Sequence, residues 1–223
     1  MERMGAYNRV QSVAPASHSG AGSGEWVSMK NHHRAIVLVD LGDITTSVTV
    51  RLRQAKAVAG TGAKALNFDH IYRTGGELHH GTVTGEFEVG ETVTGGTTGD
   101  TGVIHEIRNG VLVVHTIVGD FDDDDEELTG GTSGATAQTT ETIQNYGIKC
   151  RESITATDTL ALTSSDECYE ISIDADKLDT NGGFTAIQAD ISAVGGTSLA
   201  GISVLLPQQR YKEDPTEDSP LRD

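Results

Sequence analysis

Gly60, Gly62 and Lys64 fall together in "AVAGTGAKAL" (Ala57–Leu66), a combination that could hold a phosphate. Loops of the G-x-x-x-x-G-K-[ST] type wrap the anion in backbone N–H groups, reach its terminal phosphates with Lys, and place the hydroxyl on magnesium. Here Ala63 separates Gly62 from Lys64, Ala65 stands where the hydroxyl belongs, and "ALNFDHIY" follows where a helix should open. Without a helix N-terminus part of the anion affinity is missing. The stretch reads as a glycine-bearing connection between strands.

Other chemistry-bearing residues are equally short of a site. The run "DFDDDDEEL" raises calcium, a hard cation that takes several carboxylate and carbonyl oxygens. Asp122–Asp125 lack the glycine and spacing of an EF-hand loop, so a solvated, self-repelling loop is expected. His32-His33 and His79-His80 are adjacent pairs, and neighbours on a strand face opposite sides, so such a pair rarely gives one metal two ligands. His105 and His115 flank Asn109-Gly110 and would lie roughly opposite one another in a regular hairpin, with no third ligand in view. No G-x-S-x-G elbow is present, and Asp and Glu are too abundant for any pair to mark a glycosidase dyad. Trp26 and Tyr7 could form a carbohydrate platform, but a core or interface anchor is the plainer role for a lone Trp. No catalytic, cofactor-binding or metal-ligating residue is assigned. The expectation is a protein that is not an enzyme and carries no cofactor.

The elements that would position these residues are extended. "RAIVLVDLG" (Arg34–Gly42) reads as a buried strand, and in "TSVTVRLRQA" Val48, Val50 and Leu52 face one way while Thr49, Arg51 and Arg53 face the other. "KALNFDHIYR" is one strand or two short ones. "TGGTTG" (Thr94–Gly99) recurs as "TGGTSG" (Thr129–Gly134) at an offset of 35 residues, an internal duplication. Between the copies, Asn109-Gly110 flanked by "VIHEIR" and "VLVVHTIV" predicts a hairpin with a type I′ turn, which needs positive φ at both central positions. "TIQNYGIKC", "ECYEISIDADKL", "GFTAIQADIS" and "LAGISVLLPQQRY" read as strands, whereas 158–164 is a short helix or a loop.

The expected fold is all-β: a β-sandwich or jelly-roll-like host (25–80 and 141–211), a duplicated Gly/Thr-rich β insertion (81–140), an N-terminal arm (1–24) and a charged C-terminal tail (212–223). Composition agrees. The 223 residues include 27 glycines and 36% hydrophobic side chains, which suits short strands joined by tight turns. Net charge is −17, from 33 acidic against 16 basic residues, which argues against nucleic acid as a partner. No apolar run approaches a membrane span and no signal-peptide core is visible, so synthesis in the cytoplasm is expected. Cys150 and Cys168 are expected to be thiols rather than a disulfide.

Taken together, "EWVSMKNHHRAIVLVDLG", "SVTVRLRQAKAVAGTGAKAL", "ISIDADKLD" and the terminal "SVLLPQQRY" resemble a family of small tailed-phage virion proteins. Those members share an aromatic-V-x-M-K-N-x-x-R opening, a strand ending in Q-A-x-x-x-x-G-T-G-A-K-A-L, a late D-A-x-x-L-D and a closing strand before R-Y. The resemblance covers roughly residues 25–78 and 140–211. It implies a capsid decoration (cement) protein that binds the major capsid protein on the head exterior, as a homo-oligomer with a trimer favoured. It carries over no catalytic residue. The alternatives are a tail, adaptor or fibre-associated virion protein, or a module recognising host-surface glycans.

Overall fold

The computed structural model describes residues 8–207, and its regular structure is almost entirely β-strand. In chain order the strands are β1 (Asn8–His18), β2 (Trp26–Ser28), β3 (Arg34–Ile44), β4 (Ser47–Ala55), β5 (Lys64–Ala65), β6 (Phe68–His79), β7 (Thr92–Gly95) and β8 (Thr101–Arg108). They continue as β9 (Val111–Val118), β10 (Glu127–Gly130), β11 (Thr136–Gln138), β12 (Gln144–Thr157), β13 (Thr159–Leu162), β14 (Cys168–Asp174), β15 (Ala186–Gly195) and β16 (Ser198–Leu206). Two single-turn 3-10 helices, Ala175–Lys177 and Thr180–Gly182, are the helical content among the described residues. The fold is all-β, as expected.

The chain forms two compact units. Unit 1 takes residues up to Asp69, then Ile154–Asp166 and Glu170 onward. It is a sandwich of antiparallel sheets, β1-β16-β3-β14 over β13-β4-β15-β2, with β5 added beside β4. The layers meet where β1 and β16 pack on β15 and β4. Alternation decides which side chains meet inside: Val37, Val39 and Leu41 of β3 and Val48, Val50 and Leu52 of β4 are all buried. Within the 158–164 stretch, expected as a helix or loop, Thr159–Leu162 forms β13, drawn into pairing by Leu160↔Val50 and Leu162↔Val48.

The N-terminal arm needs a correction. Asn8–His18 is a strand of the sandwich, paired along β16 from Asn8↔Leu206 to His18↔Ser198. Small, polar composition suggested a linker, but Val13 and Ser12 are buried, and the Ser12 hydroxyl donates to the Ala189 carbonyl. Pro15 is tolerated because β1 is an edge strand with a register shift between Val13 and Ala16. Residues 212–223 lie outside the described residues.

Unit 2 comprises His70–Ser153 and Glu167–Tyr169, wider than the expected insertion 81–140. The bounds move outward because β12 pairs β6 and β6 pairs β9, so both flanking strands belong to the same body. Strand order is β6-β9-β8-β7-β10-β11. The sheet then returns to the chain just after β6 through the bridges His80↔Thr139 and Thr84↔Thr136, closing into a small barrel. Its interior holds Leu78, Val93, Ile104, Leu112, Phe121 and Leu128 with their neighbours. Closure removes the exposed edges that short Gly/Thr strands would otherwise present.

The hairpin β8–β9 forms around Asn109-Gly110 with Arg108 opposite Val111. Its turn is not type I′: Gly110 has φ +75°, but Asn109 is not in the left-handed region. The Gly110 carbonyl accepts the His80 N–H at 2.9 Å, so the turn is held by a segment outside the hairpin.

Candidate functional site

Gly60 and Gly62 have φ +76° and +66° and turn the chain between β4 and β5, the structural role read from the sequence. Lys64 does not face an empty loop. Its Nζ donates to Asp179 Oδ2 at 2.6 Å and lies 4.2 Å from the Phe184 ring centroid, fastening the loop to the 178–184 turn. Trp26 is half-buried against the same loop: a Cβ on Gly60 would come within 2.7 Å of its indole nitrogen, and Arg53 lies over its ring. Tyr7 lies outside the described residues. Arg51 and Arg53, on the wetter face of β4, both bind the buried Asp190, Arg51 in bidentate fashion at 2.9 and 3.1 Å.

The duplication builds the most ordered polar arrangement of unit 2. Strands β7 and β10 run antiparallel with Gly95↔Leu128, Thr94↔Thr129 and Val93↔Gly130, a register that the 35-residue offset maps onto itself. The copies are therefore related by a local two-fold through Thr94 and Thr129. Each copy supplies a buried glutamate to the other's turn. Glu91 accepts the N–H groups of Thr132 and Ser133, each at 2.9 Å, and the Ser133 hydroxyl at 2.8 Å. Glu126 accepts the N–H groups of Thr97 and Thr98 at 3.0 and 2.7 Å and the Thr98 hydroxyl at 2.8 Å. Burial acts to raise the Glu91 pKa, but these donors and the Glu88 N–H outweigh it and bring it down to about 2. Gly95 and Gly130 are required: a Cβ on either would fall within 3 Å of the partner glutamate's oxygens. Sequence reading found the TGGT[ST]G repeat and missed the glutamates, although Glu91 and Glu126 stand at the same offset.

Asp122, Asp124 and Asp125 are exposed, in keeping with the solvated loop expected of the acidic run. The carboxylates brought together are Asp100, Asp120 and Asp122, with oxygens within 4.8 Å of one another. Asp100 Oδ2 accepts the N–H groups of Asp120 and Phe121 at 3.2 and 2.7 Å, and the other two side chains are exposed. The trio could meet a hard cation, but its visible work is to brace the turn that sends Phe121 into the core.

A second polar cluster surrounds Arg73, which donates to Glu152 and, at 3.0 Å, to the Tyr169 hydroxyl, with Glu167 at 3.4 Å. His115 lies beside it, Nδ1 2.8 Å from the hydroxyl of Thr116, a β-branched residue held at φ +51°. Burial, then Arg73 and His105 against the opposing Glu152, pushes the His115 pKa down to about 4. The His105 and His115 rings do meet, with centroids 5.8 Å apart, but a bulge pairs His115 with Val103. Nothing in the sequence pattern marks the Arg73 cluster. Cys150 and Cys168 are thiols, and burial pushes Cys150 up to about 11.

The adjacent histidines part company, His79-His80 at the end of β6 and His32-His33 in the turn before β3. His79 Nδ1 lies 3.1 Å from Glu141, while His80 is 9% exposed and packs against Phe87. His32 is buried with Nδ1 2.9 Å from the Pro207 carbonyl, and His33 lines a shallow exposed hollow with Asp174, Asp176 and Thr180. No constellation of nucleophile, base and oxyanion donors is visible among the described residues. No protein-family model, curated protein or solved structure matches the chain.

Proposed function

We propose that this chain is a structural protein of a tailed-phage particle, a decoration (cement) protein that binds the major capsid protein on the head exterior. The observation that carries the reading is where the resembling stretches lie. "EWVSMKNHHRAIVLVDLG", "SVTVRLRQAKAVAGTGAKAL", "ISIDADKLD" and the closing strand all fall in unit 1, while the duplication falls in unit 2. The glycine loop of that motif set is presented at the surface, with Val58 58% exposed. Such an arrangement suits a sandwich that docks through a loop braced by Lys64–Asp179 and Trp26. A net charge of −17 suits an outer surface better than one facing packaged DNA. Attachment would come from modest contacts multiplied over a symmetric lattice by a homo-oligomer, with a trimer favoured.

The test mixes purified protein with capsids lacking accessory proteins and images the particles. Added density at regular lattice positions is expected. Its absence removes the decoration reading, and density confined to tail or neck moves the protein there. Val58→Asp, which places a charge on the loop tip without touching the core, is expected to lower capsid occupancy about tenfold or more if the loop is the contact.

A further inference from the structure

Asn-Gly occurs twice in the chain, as Asn109-Gly110 at the tip of the β8–β9 hairpin and as Asn181-Gly182 in the turn before β15. Both asparagines are exposed, and each is followed by a residue with no Cβ to hinder approach to its nitrogen. What differs is the state of that nitrogen.

In the hairpin, Arg108 pairs with Val111, with only Asn109 and Gly110 between them. Gly110 sits at φ +75°, and its N–H makes no hydrogen bond among the described residues. The other pair is braced. Thr180–Gly182 forms a single 3-10 turn, and Asp179 accepts the Gly182 N–H through both its carbonyl at 3.1 Å and its carboxylate Oδ1 at 2.9 Å. Lys64 donates to the second carboxylate oxygen, Oδ2, at 2.6 Å and fixes the group in place.

The chemistry this difference controls is deamidation. The Gly110 nitrogen attacks Cγ of Asn109 as it loses its proton; the N–C bond forms, the Cγ–Nδ2 bond breaks, and ammonia leaves with that proton. Water then adds to either carbonyl of the cyclic imide and opens it to an aspartyl or an isoaspartyl residue. An amide and water are consumed, a carboxylate and ammonium are produced, and no oxidant or reductant is required. At Gly182 the first step is opposed twice. Its bonds to Asp179 have to break, and the adjacent carboxylate disfavours the negative charge that develops on the nitrogen.

We propose that Asn109 is a self-modification site, converting to aspartyl and isoaspartyl forms in the folded protein while Asp179 keeps Asn181 intact. The new carboxylate arrives next to Arg108, which already binds Glu77 and Glu106 at 2.8 and 2.7 Å, so the hairpin tip gains negative charge. The isoaspartyl form also lengthens the main chain before Gly110, whose carbonyl accepts the His80 N–H at 2.9 Å.

The inference does not depend on capsid attachment, and its test uses the isolated full-length protein. Samples held under mildly alkaline conditions for weeks are digested in acid, and the peptides carrying Asn109 and Asn181 are followed by mass spectrometry. Labelling with isoaspartyl methyltransferase reports the isomerised product independently. In the folded protein Asn109 is expected to convert at least about tenfold faster than Asn181. In concentrated urea the two rates should come within about threefold of each other, because the hydrogen bonds that separate them are gone. Asp179→Ala should speed Asn181 at least about fivefold and leave Asn109 unchanged. Thermal melts check that variant's fold, and the urea comparison decides the matter if it is unstable. Equal conversion of the two sites in the folded protein overturns the proposal, as does an Asn109 that reacts only in urea. A preference for Asn109 that persists undiminished in urea would trace it to sequence rather than to the fold and overturns it too, as does an unchanged Asn181 rate in folded Asp179→Ala.

Discussion

Burying a carboxylate costs several kcal/mol unless hydrogen bonds replace its water, and Glu91 meets that demand with three N–H donors and a hydroxyl. Glu91→Ala strands those donors in a closed turn and should destabilise unit 2 by about 3 kcal/mol in urea unfolding. The exposed neighbour change Glu88→Gln should stay within about 0.5 kcal/mol. The pH dependence has a definite sign. Because the folded pKa of about 2 lies below the unfolded value near 4.5, the stabilisation is complete above that value and is lost as pH falls through it toward 2. His115 acts in the same direction: with its pKa pushed down to about 4, keeping the ring neutral costs stability as pH drops from 6.5. Unfolding midpoints that do not fall between pH 6.5 and 3 would contradict both assignments.

At the scale of elements, the hairpin β8–β9 separates two roles that sequence reading merges in "NG". Gly110 alone is left-handed, so Gly110→Ala should cost about 1 kcal/mol, whereas Asn109→Ala should cost less than about half that. Equal losses in thermal melts of the two variants would restore the type I′ turn. The β7–β10 pairing is the other decisive element contact. Four-residue strands such as Thr92–Gly95 bury little, and each copy's turn depends on the other copy's glutamate, so one repeat without its twin lacks its own closure.

For the molecule as a whole, the duplication sits in a closed barrel and the motif stretches in a sandwich, and each body has its own buried interior. The exposed large hydrophobics among the described residues are Val58, Val89, Ile107, Val118 and Leu199. On the proposed decoration role, lattice avidity would supply the permanence of attachment. Retention on intact capsids should exceed affinity for isolated capsomers by about 100-fold or more, measured by co-sedimentation against surface binding. Equal affinities for the two would mean that single contacts suffice.

Much of this was legible along the chain because it is local. The alternation of Val48, Val50 and Leu52 is a consequence of the pleat, and turns at Gly60 and Gly110 follow from φ values that glycine accepts without strain. Strand content, the hairpin's position and the repeat were therefore determined by sequence alone. Only the tertiary structure decided that Asn8–His18 joins the sandwich, that β6 and β12 enlarge unit 2, and that Glu91 and Glu126 exchange turns. Those outcomes depend on which distant strands pair. A side chain's partner across a ladder is set by register between segments tens of residues apart, and no periodicity within either segment records it.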